Sequence, residues 1–149
     1  MTRSKGVEAE RELSNWFEDE RNYAAQRTAS SGSATERARP DVIAAVKQPC
    51  PRRSSWETPR VLSKVYAIEV KAWSDATGHL DEHEVVELLE YAHRAGAEAR
   101  VAVKPDLRSH DQWHVFEIAD LNVTDGGNYS VTQSILPGMT LDEAFGPTR

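Results

Sequence analysis

Apolar and polar residues recur with two different periods along this chain, and the changes of period mark its elements. Across residues 5–20, Ala9, Leu13, Trp16 and Phe17 fall on one stripe with charges elsewhere, which predicts an amphipathic helix with Ser4 as its N-cap. Residues 23–28 read as a short strand. The run ASSGSATERAR (29–39) is rich in small residues and has no apolar period, so it predicts a flexible loop that Pro40 ends. DVIAAV (41–46) then predicts a short buried strand. Residues 47–60 carry Pro49, Pro51 and Pro59 without a regular pattern, as a hairpin excursion would. VLSKVYAIEVKAW (61–73) is the strongest strand signal. Strict alternation puts Val65, Ala67, Glu69 and Lys71 on one face, and Tyr66, Ile68 and Val70 on the other.

In the second half the period returns to that of a helix. Residues 81–95 place Val85, Leu88, Leu89 and Ala92 inward, with Gly96 as the C-cap. ARVAVKP (99–105) predicts another buried strand, and WHVFEIA (113–119) an alternating one. Asp125-Gly126-Gly127-Asn128 marks a turn before a last strand at 129–134, and 142–145 is at most one helical turn. The main order is α-β-β-β-α-β-β, an α/β or α+β sheet flanked by helices. No repeat or linker divides residues 1–149, which read as a single domain.

Composition narrows the class. The 149 residues are 39% apolar and 28% charged, enough for one modest core. No apolar run approaches the roughly 18 residues that a membrane span needs. The opening MTRSKGVEAERE lacks the apolar segment of a secretory signal, so a cytoplasmic protein is expected. The single cysteine, Cys50, excludes an internal disulfide and a cysteine-based zinc site.

The net charge of −6 hides an asymmetry. Up to Lys71 there are 13 basic and 10 acidic residues; beyond it there are 5 and 14. Residues 37–64 are the most basic stretch, with Arg37, Arg39, Lys47, Arg52, Arg53, Arg60 and Lys64 against only Asp41 and Glu57. A polyanion is a plausible partner for that stretch, and a solvated loop is the plain alternative.

Three acidic positions and a lysine carry the candidate chemistry. Asp41 opens a strand directly after Pro40, and Glu69 and Lys71 share one side of the next strand. If the two strands form a hairpin, Asp41 lies near Glu69. Crowded carboxylates repel unless a cation neutralises them, and Mg²⁺ favours such oxygen ligands. Bound there, the ion is a Lewis acid that lowers the pKa of its water, while Lys71 could orient that water or steady charge on a phosphate. A phosphodiester hydrolase follows. The competing reading is an ordinary Glu69–Lys71 ion pair on a solvent-facing strand.

KGVEAEREL (5–13), AAQRTASSGS (24–33), PDVIA (40–44) and YAIEVK (66–71), in that order, closely resemble the archaeal Holliday junction resolvases of the Hjc type. VAVKP (101–105) and WHVFEI (113–118) continue the likeness more loosely. These resolvases belong to the PD-(D/E)XK nuclease superfamily, so the resemblance implies an α/β, restriction-endonuclease-like mixed β-sheet flanked by α-helices. It also implies a homodimer that binds a four-way DNA junction by shape and nicks two opposed strands, with Mg²⁺ or Mn²⁺ as cofactor. Carried over by residue, Glu10, Asp41 and Glu69 match the metal-site carboxylates and Lys71 the catalytic lysine. Arg11 and Arg27 match residues used on the DNA backbone, and Lys5 matches the family's opening. Either Ser30 or Ser31 matches a catalytically important loop serine.

Two departures from the family pattern stand out. The chain is longer between Asp41 and Glu69, through the basic stretch 47–60, and it turns acidic after Lys71. Both would be met if part of the DNA footprint had moved onto Arg52, Arg53 and Arg60. A repair nuclease of the same superfamily acting on flaps or linear DNA, and a junction binder that does not cut, remain the alternatives. Recruitment by a sliding clamp or helicase is left open.

Other signals weigh less. His79 and His83 with Asp81 and Glu87 could form a zinc face, but no third ligand motif accompanies them and a polar helix start accounts for them. His110 and His114 read as structural. Trp16, Trp73 and Trp113 read as core, and Trp56 as a small anchor in the basic stretch. Cys50, between two prolines and without a paired histidine, is no nucleophile.

Overall fold

The computed structural model describes residues 2–28, 39–50, 60–73, 78–105, 112–132 and 135–146. Helix α1 (Thr2–Asn15) runs into a π-turn at Trp16–Glu20 and leads to strand β1 (Ala24–Arg27). Strands β2 (Val42–Cys50) and β3 (Arg60–Trp73) form a long antiparallel hairpin. After β4 (Gly78–Leu80) comes helix α2 (Glu82–Ala95), then β5 (Glu98–Pro105) and β6 (His114–Phe116). A 3-10 turn (Ile118–Asp120), β7 (Asn122–Val123), β8 (Tyr129–Val131) and helix α3 (Leu141–Phe145) complete the order.

The main sheet has the order β1-β2-β3-β5-β6. Only β3 and β5 pair in parallel, joined by the α2 crossover; the other neighbours are antiparallel. A second, three-stranded sheet of order β4-β8-β7 was not expected from the sequence, which indicates only β8 of its strands; β4 and β7 are three and two residues long. Segments that short carry no detectable period.

Strand alternation divides the core as the sequence pattern predicts. Tyr66, Ile68 and Val70 face α1, packing with Leu13, Phe17, Val42, Ala44 and Phe145. Phe17 and Phe145 meet edge to face at 5.0 Å, and Tyr66 meets Phe145 in the same way. Ala67 faces the opposite way, into a second cluster with Val85, Leu88, Ala92, Val101 and Leu80. Glu69 and Lys71 share the parity of Ala67, so α2 is their neighbour.

Several expectations need correction. Ser4 does not cap α1, which begins at Thr2 and includes Ser4 in its first turn. Leu89 is not inward but 43% exposed, because the 3.6-residue period centres the buried stripe on Val85, Leu88 and Ala92 and leaves position 89 beyond its edge. Residues 47–50 continue β2 and pair with the start of β3, so in its described residues the excursion expected at 47–60 is a hairpin, with regular strand where the sequence shows no regular pattern. Pro49 fits there because, among the described residues, β1 pairs only with Val42–Ala45 of β2 and no strand pairs with that edge of β2 beyond them, so no donor is needed there. The strand expected at 113–119 stops at Phe116, where the 3-10 turn takes over, and that expected at 129–134 stops at Val131. Gly96 does end α2, in the left-handed conformation at φ 63°.

Candidate active site

The β2–β3 hairpin joins the candidate residues. Val42 pairs with Ile68, so Asp41, one residue earlier, is carried alongside Glu69 and Val70. Asp41 Oδ2 accepts a 2.9 Å hydrogen bond from the backbone N–H of Val70. Thr28, just beyond β1, fixes the other side: its N–H donates to the Asp41 carbonyl at 3.0 Å and its hydroxyl donates to the Pro40 carbonyl. The loop end is therefore stitched to both neighbouring strands.

Lys71 lies between two carboxylates. Its Nζ is 2.8 Å from Glu84 Oε1 and 3.7 Å from Glu69 Oε1. Glu84 comes from the first turn of α2 and was missed in the sequence. Its only trace there is the Asp81-x-x-Glu84 spacing of a helix start, which says nothing about Lys71. A cavity of about 130 Å³ opens beside this group, lined by Arg39, Asp41, Glu69, Glu84 and Glu87.

Burial and mutual repulsion set the protonation of the pair. Burial pushes the Glu69 carboxyl up, and the Asp41 charge adds to it, bringing its pKa to about 8. Burial also raises Asp41, opposed by the Val70 N–H and by Lys71. Lys71 is held above the ordinary lysine value: burial works against its charge, but the Glu84 hydrogen bond and the surrounding carboxylates outweigh it. For Glu84 the Lys71 and Asp81 hydrogen bonds prevail over burial and lower the pKa.

Glu10 approaches from the helix side. It is nearly buried on α1, and its carboxylate bonds Arg27 on β1 at 3.3 Å. Burial raises its pKa, and so does the charge of Asp41. Among the described residues, no three histidine, cysteine, aspartate or glutamate side chains are gathered closely enough to hold one metal ion. Glu10 stands with Arg27, while Asp41 and Glu69 stand together. The latter pair fits a hard divalent cation: both donors are carboxylate oxygens, and the site holds more negative charge than burial tolerates without a proton or a cation.

A family model described as archaeal Holliday junction resolvase (Hjc) matches residues 1–50 and 59–149. The chain belongs to this family. The Hjc resolvase of Archaeoglobus fulgidus, an archaeal hyperthermophile, is a structural neighbour with a TM-score of 0.71. It is 27% identical, and the match covers 97% of this chain and 98% of that one. No curated protein sequence matches the chain. The mixed sheet between helices is thus the restriction-endonuclease-like fold of the Hjc resolvases, and this resolvase is a nuclease. Residues 51–58, which the family match skips, fall inside the stretch 47–60 that departs from the family pattern.

The remaining candidates scatter. Arg11 is exposed on α1, next to Glu10. Lys5 lies in α1 and Arg60 opens β3. Ser30, Ser31, Arg52, Arg53, Arg37, Trp56 and His110 lie outside the described residues. Lys64 pairs with Glu98 at 3.1 Å, both side chains partly exposed, and lies over the Tyr66 ring. His79 sits on β4 just before α2 begins, and His83, in the first turn of α2, bonds Glu87 at 2.8 Å, an ordinary pairing along the helix. His114 Nδ1 accepts from the Gly138 N–H, a structural contact as expected. Trp16 packs on Phe17 at 5.1 Å, and the Lys104 ammonium lies over Trp113. Among the described residues, no helix is long and apolar enough to cross a membrane.

Proposed function

We propose that Asp41, Glu69 and Lys71 form the hydrolytic centre with which this Hjc-family nuclease cuts four-way DNA junctions. The observation that carries the reading is the meeting of two half-buried carboxylates, from opposite strands of one hairpin, beside an ammonium group. With its pKa raised to about 8, Glu69 is mostly protonated at neutral pH unless a cation replaces its proton.

Asp41 and Glu69 would hold Mg²⁺, with Mn²⁺ able to substitute, and Glu10 would join them on leaving Arg27. Bound there, the ion supplies Lewis acidity toward a phosphate oxygen and a more acidic water. The chain's own groups do the rest. The Val70 N–H fixes the orientation of Asp41, so its carboxylate is aimed before substrate arrives. Lys71, kept charged by its neighbours, stabilises negative charge as it grows on the attacked phosphate or holds the attacking water by a hydrogen bond. Arg11 and Arg27 provide cations for the DNA backbone near Glu10, Lys5 precedes them on α1, and Ser30 or Ser31 would add a hydroxyl contact. A homodimer suits the substrate, because a two-fold pair of sites meets the two-fold symmetry of a junction and each copy cuts one of two opposed strands.

The test is a nicking assay on an immobile four-way junction and on a linear duplex, with Mg²⁺ and with chelator. Paired nicks on the junction alone, dependent on the cation and lost in Lys71→Ala with junction binding retained, are expected. Junction binding without cleavage under every condition would overturn the assignment.

A further inference from the structure

One carboxylate in this site serves two partners at once. Glu84 Oε2 accepts the backbone N–H of Asp81 at 2.9 Å, closing the start of α2, while its Oε1 accepts the Lys71 ammonium at 2.8 Å. The turn that carries Glu84 is itself anchored: the Glu82 N–H donates to Asn128 Oδ1 at 3.1 Å, from the turn before β8. Val85 and Leu88 are buried immediately beyond it. Glu84 is therefore a fixed point, set by a helix cap, a loop and the core rather than by Lys71.

Lys71 has no comparable tether. Its other neighbour, Glu69, is almost an ångström farther away. Glu69 is also the group that a divalent cation would draw off, leaving Glu84 as the near carboxylate. A lysine side chain has four rotatable bonds and places its charge loosely unless a partner restrains it. Because both oxygens of Glu84 are used as acceptors, only a carboxylate serves both partners at once. A glutamine has one acceptor oxygen, and its amide would turn a donor toward either Lys71 or the Asp81 N–H.

We propose that Glu84 is a positioning residue of the nuclease, holding the Lys71 ammonium at the scissile phosphate through a carboxylate locked in the N-terminal cap of α2. This rests on the assignment of Lys71 to the hydrolytic centre. Glu84 acts through the Lys71 ammonium and not on the phosphate itself. Its contribution is geometric, and a catalytic group displaced by about an ångström can cost on the order of a hundredfold in rate.

The experiment compares Glu84→Gln, Lys71→Ala and the double variant on a four-way junction, in single-turnover cleavage and in junction binding without metal. Glutamine still serves a helix start, so Glu84→Gln keeps the cap and the fold. The expected result is a cleavage rate lowered roughly tenfold to a hundredfold, junction affinity not weakened, and no further loss in the double variant relative to Lys71→Ala. A second readout needs no turnover. In the ¹⁵N-labelled protein the Lys71 ammonium, shielded from solvent exchange by Glu84, gives an NMR signal that Glu84→Gln removes. Full cleavage in Glu84→Gln with Lys71→Ala inactive overturns the role of Glu84 alone. Unimpaired cleavage in Lys71→Ala overturns the assignment of the lysine instead. If Glu84→Gln does not fold, absence of the ammonium signal from the wild-type protein overturns the tether.

Discussion

The Asp41 carboxylate is bound at 2.9 Å to the backbone N–H of Val70, the residue between Glu69 and Lys71. That bond spans the two strands of the hairpin and places one acidic group against the segment that carries the other. Asp41→Asn retains an acceptor for Val70 and removes the charge, so the fold should persist while Mg²⁺ affinity falls by at least about tenfold, as read by calorimetry. Asp41→Ala also leaves the N–H without its partner, adding a destabilisation of about 1–3 kcal/mol, measurable by urea unfolding. Equal Mg²⁺ binding by wild type and Asp41→Asn would remove Asp41 from the metal site.

Glu69 makes stability depend on pH in the absence of metal. Its carboxyl ionises near 4.5 when unprotected and near 8 in the folded chain. Between these values the native state holds a proton that the unfolded state has lost, so ionisation at higher pH opposes folding. The contribution is complete below the unfolded pKa and disappears as pH rises through the folded one. Thermal unfolding of metal-free protein should therefore show stability falling from about pH 5 to pH 8.5, by a few kcal/mol, with Mg²⁺ restoring it most at the upper end. Glu69→Gln should flatten that slope. A variant as pH-dependent as the wild type would place the titration elsewhere.

Phe17 ties the π-turn after α1 to α3. It is fully buried and meets Trp16 and Phe145 edge to face. Phe17→Ala should cost about 3–5 kcal/mol of unfolding free energy and lower near-ultraviolet circular dichroism from the neighbouring tryptophan. A loss below about 1 kcal/mol would show that the cluster collapses onto the gap.

The basic stretch has its own test. Junction binding should weaken with salt in proportion to the phosphates neutralised. Replacing Arg52, Arg53 and Arg60 together by glutamine should make the log–log slope shallower by roughly 2–3, as measured by fluorescence anisotropy between 50 and 200 mM salt. An unchanged slope would remove these arginines from the DNA footprint.

What could be read without coordinates was whatever repeats locally. The stripe Ala9–Leu13–Phe17 and the alternation through β3 each bury a face over many residues, so hydrophobic burial writes them into the sequence. PDVIA and YAIEVK likewise placed Asp41, Glu69 and Lys71 on two strands, and pairing Val42 with Ile68 needed only the hairpin that connects them. Tertiary structure alone decided which groups those residues would face. Glu84 reaches Lys71 because a crossover lays α2 over the β3 face, and Glu10 bonds Arg27 because α1 covers the opposite one. Neither contact has a period or a spacing that a one-dimensional pattern could carry. Helix packing across the sheet brings such residues together, and electrostatics selects the partners from what is within reach.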